Sequence, residues 1–248
     1  GYATSDLAEI AGDRGEVLGV ERSGRFAAAA RRRSAERGFA NVRIEELDLM
    51  STPIPATGFD AAWCRWVACF VSSPQSLVAA IGRALRPGGV AVFHEYGDYA
   101  SWRLMPPRPG FDKIVAAVMA SWRASGGEPD IGLMLPAMLR ECGFEIRHVR
   151  PLVFAVQPSD FIWQWPSTFL RSGARRLREL GQLTSLAADL IVREFDDVER
   201  DPSTIMMTPL VMEIIAVKQS EGHHSFLDTP ITLSHTGPPS DTFSRGDL

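Results

Sequence analysis

The sequence predicts an α/β chain built on a doubly wound, mostly parallel sheet. Three observations carry that reading. From the start to about Glu95, short apolar runs alternate with helical patterns, the order expected of strands and crossover helices. The apolar runs Val17-Leu18-Gly19-Val20 and Val90-Ala91-Val92-Phe93 are continuous, as strands covered on both faces require. Pro87-Gly88-Gly89 punctuates the chain sharply before the second of them.

Taken in order, a short helix over Ala3 to Ala11 is ended by Gly12, and the strand Val17 to Val20 follows. An Ala- and Arg-rich helix covers Arg25 to Arg37, with Gly38 at its C-terminal cap. Asn41 to Leu47 and Phe59 to Trp66 read as the next strands. Leu77, Val78, Ile81 and Leu85 lie on one face of a helix, and Val90 to Phe93 is the strand after it. Beyond that point the pattern is less regular. Phe111, Ile114, Val115, Val118 and Trp122 share a helical face; Leu135 to Cys142 is a helix capped by Gly143; Phe144 to Val149 is a strand. Pro158 to about Arg200 is mostly helical, and Leu210 to Val217 returns to a β-prone run, expected antiparallel at or near the sheet edge. These boundaries predict a core over 1–157, a helical insertion or cap over 158–205, a last core strand within 206–219, and a disordered tail over 220–248.

Composition narrows the chemistry. The 248 residues amount to one or two domains, and 45% hydrophobic with 23% charged residues is ordinary globular content. A net charge of −4 argues against a broad nucleic-acid or membrane surface, and no apolar run is long enough to span a bilayer. The three cysteines, Cys64, Cys69 and Cys142, lack metal-ligand spacing and fit a reduced, cytoplasmic compartment. No metal is expected. Lysine occurs only at Lys113 and Lys218, and neither follows a glycine, which argues against a P-loop. No tyrosine has a lysine four residues on, which disfavours a short-chain dehydrogenase. Arg31-Arg32-Arg33 lies on the Ala-rich helix and reads as a solvated face.

Several residues stand where parallel strands end, the place where open α/β sheets bind ligands. Glu21 closes the strand Val17 to Val20, with Arg22 beside it. Asp48 and Leu49 close the next, Arg65 the one after, and His94-Glu95-Tyr96 the strand from Val90. A carboxylate such as Glu21 can accept hydrogen bonds from both hydroxyls of a ribose, and a nicotinamide-binding fold shares that position.

Together with Leu85-Arg86-Pro87-Gly88-Gly89 and the strand opened by Phe59-Asp60, these residues resemble the class I S-adenosylmethionine-dependent methyltransferases of the bacterial small-molecule type. The resemblance implies a Rossmann-like fold with an antiparallel last strand and S-adenosylmethionine as cofactor. It makes Gly1 the last glycine of the family's glycine-rich loop, with the first strand upstream of it. It places the ribose on Glu21, the adenine under Arg22 and against Asp48 and the Leu49 amide, and the methionine end beside the Arg65 backbone. The implied reaction carries a methyl group to an oxygen, nitrogen or carbon of a small molecule.

His94 is a candidate base for that transfer, against the plainer expectation of a histidine hydrogen-bonded within the fold. Tyr96, Trp102 and Trp163 are candidate substrate contacts, against the plainer expectation that such aromatics pack as core. Two other functions compete: an NAD(P)-dependent oxidoreductase, and a catalytically silent binding protein that keeps the fold. The expected partner is a small-molecule methyl acceptor, with no nucleic acid and no membrane, and a homodimer is the rival use of the cap aromatics.

Overall fold

A computed structural model describes residues 1–220 of the chain. The tail expected over 220–248, with His223 and His224, lies outside the described residues apart from Ser220.

The N-terminal half is βα-alternating as expected. Helix α1 (Tyr2–Ala11) stops where Gly12 takes a left-handed φ of 66°, and strand β1 (Val17–Glu21) follows. Helix α2 (Gly24–Glu36) leads to β2 (Val42–Glu46), which pairs parallel to β1 with Glu21 opposite Glu46. Strand β3 (Phe59–Arg65) is followed by α3 (Pro74–Ala84), where Ser73 caps the first turn and Pro74 occupies the position that needs no N–H. Strand β4 (Leu85–Asp98) runs parallel to β3, with Arg65 opposite His94. It begins earlier than Val90, because Leu85 already pairs with Phe59 before the register shifts. Gly88 has a φ of 76°, and a Cβ on Gly89 would meet the Phe59 carbonyl at 3.1 Å, so the Pro-Gly-Gly turn has a steric reason.

The second half comprises β5 (Arg103–Met105), α4 (Pro109–Ala124), α5 (Leu135–Glu141), β6 (Phe144–Leu152) and β7 (Ala155–Val156). It continues with α6 (Gln164–Glu179), α7 (Ser185–Arg200), β8 (Ile205–Met207) and β9 (Leu210–Lys218). Strand β9 lies antiparallel between β4 and β6, as the last strand was expected to run, one place in from the edge.

Two features depart from the sequence reading. The strands expected as neighbours in one sheet form two parallel pairs: β1-β2 is a two-stranded sheet, and β3-β4 belongs to a four-stranded sheet of order β3-β4-β9-β6. No described strand lies between β1 and β3, so no ladder of hydrogen bonds joins them. A small three-stranded sheet of order β5-β8-β7 was also not anticipated. Its strands have only two or three residues each, too short for a period to show.

One large apolar cluster joins the four-stranded sheet to the helices above it, running from Leu77, Phe93 and Ile214 to Trp102, Phe111, Trp163 and Phe195. The β1-β2 half has a separate small cluster of Ala27, Ala30 and Ile44.

Candidate active site

Parallel pairing brings the strand ends together in two groups. On the β1-β2 side, the Glu21 carboxylate accepts a hydrogen bond from the Ser23 amide at 2.8 Å and so fixes the start of α2. Asp48 does the same for its own turn, accepting from the Met50 amide at 2.9 Å, while Leu49 packs half-buried against the main core. Each carboxylate engages one oxygen in this way, and its second oxygen has no hydrogen-bond partner among the described residues. Arg22 stands exposed beside Glu21. Gly1, at the start of α1, lies within electrostatic range of both Glu21 and Arg65 and so links the two groups.

On the β3-β4 side, the Arg65 guanidinium rests 4.8 Å from the Trp63 ring centre and 4.9 Å from that of Trp66. Burial lowers its pKa, opposed by the nearby Tyr96 and Asp6. His94 is held inside the sheet. Its Nδ1 accepts from the Trp63 indole N–H at 3.1 Å, which places the ring proton on Nε2, 2.8 Å from the Glu213 carboxylate. Glu213 also meets Arg150 at 2.6 Å. The hydrogen bond from His94, then Arg150, holds the Glu213 carboxyl below the ordinary range against the opposing effect of burial. With both ring nitrogens engaged, His94 has no lone pair for an acceptor's proton, and the candidate base role gives way to the plainer expectation. Its partner is 119 residues away in sequence, a pairing no local pattern shows.

Two neighbours matter more than the sequence reading allowed. Glu95 is wholly buried, and its carboxylate accepts from the amides of Val67 at 2.7 Å and Ala68 at 2.8 Å. Burial pushes its pKa up, and the backbone hydrogen bonds oppose that rise. Glu95 thereby fixes the turn that follows β3. The first residue of that turn, Trp66, has a φ of 52°, a left-handed backbone that a bulky residue adopts only when its surroundings impose it. The Trp66 amide donates to the His94 carbonyl at 3.0 Å, and its ring stacks with Tyr96 at 5.6 Å and with Trp165 at 5.0 Å. Its indole N–H is buried without a partner among the described residues. The available signal was an acidic residue inside the apolar run Val90-Ala91-Val92-Phe93-His94-Glu95-Tyr96.

A family model described as a methyltransferase domain matches residues 1–93, the stretch that supplies every strand end just described except Tyr96 and its neighbours. Residues 1–93 thus form a methyltransferase domain. Its cofactor is S-adenosylmethionine, and the donor set fits: the free oxygens of Glu21 and Asp48 suit a ribose diol and an adenine amino group. The demethylmenaquinone methyltransferase of Anoxybacillus flavithermus (strain DSM 21510 / WK1) is 29% identical over 166 residues, covering 62% of this chain and 69% of that one. The enzyme of the same name from Geobacillus kaustophilus (strain HTA426) is 27% identical over 163 residues, covering 60% and 69%. Among solved structures, the (4+2)-cyclase SpnF superposes with a TM-score of 0.51 at 21% identity, covering 88% of this chain and 72% of its own. A likeness at that identity speaks for the fold.

In this methyltransferase the aromatic residues continue upward from the strand ends. Tyr96 meets Tyr99 edge-on at 4.9 Å, Tyr99 meets Trp122 at 5.0 Å, and Trp122 meets Phe169 of α6 at 6.0 Å. Trp122 and Phe169, with Val118 and Leu177, line a cavity of about 260 Å³ between α4 and α6, with Arg176 also in its wall. The three aromatics singled out in the sequence are all buried. Tyr96 packs in the core against Trp66, Tyr99 and Trp122, outside the cavity lining. Trp102 donates its indole N–H toward the Met206 sulfur at 3.2 Å and borders a smaller hollow with Val115 and Met119. Trp163 is core between α6 and α7, its N–H donating to Glu199 at 2.8 Å and its ring stacked on Phe195.

Proposed function

We propose that this methyltransferase carries the methyl group of S-adenosylmethionine to an oxygen, nitrogen or carbon atom of a small, apolar, ring-bearing acceptor. The acceptor sits between the strand ends and a cap formed by residues 99–127 and 160–200. One observation supports this above the others: a run of ring contacts from Tyr96 through Tyr99 and Trp122 to Phe169 connects the strand ends with the α4–α6 cavity, whose wall Trp122 and Phe169 form. Such a wall suits an apolar ring. Two relatives named as demethylmenaquinone methyltransferases make that compound a first acceptor to try.

The bound cofactor supplies a carbon already activated by its sulfonium. Glu21 orients the ribose, Arg22 covers the adenine, and Asp48 with the Leu49 amide reads the adenine edge. Gly1 and the Arg65 backbone lie beside the methionine end. With His94 engaged by Trp63 and Glu213, the chain contributes positioning and exclusion of water instead of an imidazole base. The core over 1–157, the insertion over 158–205 and the last strand within 206–219 are the units of this reading. The three free thiols suit a cytoplasmic setting. Hydrogen exchange with S-adenosylhomocysteine and candidate acceptors tests the cap. Protection of 99–127 and 160–200 that requires ligand supports it. Protection that follows protein concentration and ignores ligand makes these segments a homodimer arm instead.

A further inference from the structure

We propose that Arg65 and Trp66 together form a recognition site for an anionic oxygen, a carboxylate, at the end of β3. The inference rests on the methyl-transfer reading for where ligands lie, but its evidence is separate. Two donors stand side by side here without acceptors. Among the described residues, the exposed Arg65 guanidinium has neither a carboxylate in ion-pair range nor a hydrogen-bond acceptor, and it lies against the rings of Trp63 and Trp66. The Trp66 N–H is buried and has no partner among the described residues, although most buried donors are satisfied. The guanidinium carbon lies 4.9 Å from the Trp66 ring centre, so one small anionic group can approach both donors.

The surrounding structure holds these donors in place at a cost to the backbone. Trp66 keeps its left-handed φ because Glu95 anchors the amides of Val67 and Ala68 that follow it. Its ring is fixed from the sheet side by Tyr96. The other stacked ring, Trp165, belongs to helix α6, so the indole is enclosed between the sheet and the cap. A strained residue with an orphan donor at a strand end is accounted for when a ligand supplies the acceptor. A neutral apolar ligand would leave both donors unanswered.

The carboxylate has two sources, the amino-acid end of S-adenosylmethionine or an acid group on the acceptor. The test is the nitrogen–proton resonance of the Trp66 indole, assigned by its disappearance in Trp66→Phe, with ligand affinities measured for the wild-type chain and for Arg65→Met. S-adenosylhomocysteine is compared with 5′-methylthioadenosine, which lacks the amino-acid end, and benzoate with benzyl alcohol. If the cofactor is the source, S-adenosylhomocysteine shifts the resonance, methylthioadenosine does not, and Arg65→Met weakens only the former, by roughly tenfold or more. If the acceptor is the source, the same contrast appears for benzoate against benzyl alcohol. A benzoate response with no binding of either nucleoside keeps the anion site and removes the methyl-transfer reading. A resonance unmoved by all four ligands, or Arg65→Met binding them all as the wild type does, overturns the proposal.

Discussion

The β1-β2 half and the β3-β4 half use opposite materials at the same rim. Beneath Glu21 and Asp48 the core is Ala27, Ala30 and Ile44, and Tyr2, Ile10 and Phe26 remain exposed. Beneath Arg65 and Tyr96 it is a dense stack of rings and aliphatic side chains continuous with the cap. The contrast teaches how the work is divided. On the proposed reading the first half positions a ligand with carboxylates that also fix their own turns, and it needs little buried bulk for that. The second half shapes a cavity, which requires large rings held rigidly.

The comparison predicts where the chain is most sensitive. Phe111→Ala, which removes a buried ring in contact with Trp102 and Phe195, should cost about 3–5 kcal/mol in urea unfolding. A loss under 1 kcal/mol, on that scale, would mean the cap is loosely packed and the contrast false.

Glu213→Gln should cost about 1–3 kcal/mol near neutral pH, since it weakens bonds from His94 and Arg150 in a mostly buried position. The Glu213 pKa is depressed on folding, so its contribution is present above the ordinary value of 4.5 and is lost as pH falls through the folded value. The deficit of the variant should therefore shrink on acidification. Glu95 behaves with the opposite sign. Its pKa is raised on folding, so its protonated form favours the fold below 4.5, and that contribution disappears as pH rises through the folded value. Unfolding curves of Glu95→Gln and wild type across that range should diverge in the variant's favour as pH rises, and a constant difference would contradict the burial argument.

The smallest effect belongs to the thin half. Ile44→Val should cost about 0.5–1.5 kcal/mol, because its cluster contains little else than alanine. A loss matching that of Phe111→Ala would erase the distinction between the halves.

Much of this was legible in the sequence where the signal is local. Continuous apolar runs gave β1 and β4, glycines gave the ends of α1 and of the turn before β6, and the last strand was read from its β-prone run. Acidic residues closing strands pointed to Glu21 and Asp48. What escaped depends on distant pairing: His94 meets Glu213 across a strand that enters from the far end of the chain, and Glu95 anchors amides 26 to 28 residues before it. The division into two sheets also escaped, because apolar runs show that strands exist and not which strand fills the place between them.

The most direct test is a calorimetric titration of S-adenosylmethionine into the chain and into Glu21→Ala, with the fold of each checked by circular dichroism. The rim account predicts binding that weakens in the variant by roughly tenfold to a hundredfold, since a charged acceptor is worth about 1.5–3 kcal/mol. Equal affinity in two equally folded proteins would remove Glu21 from the site and contradict the account.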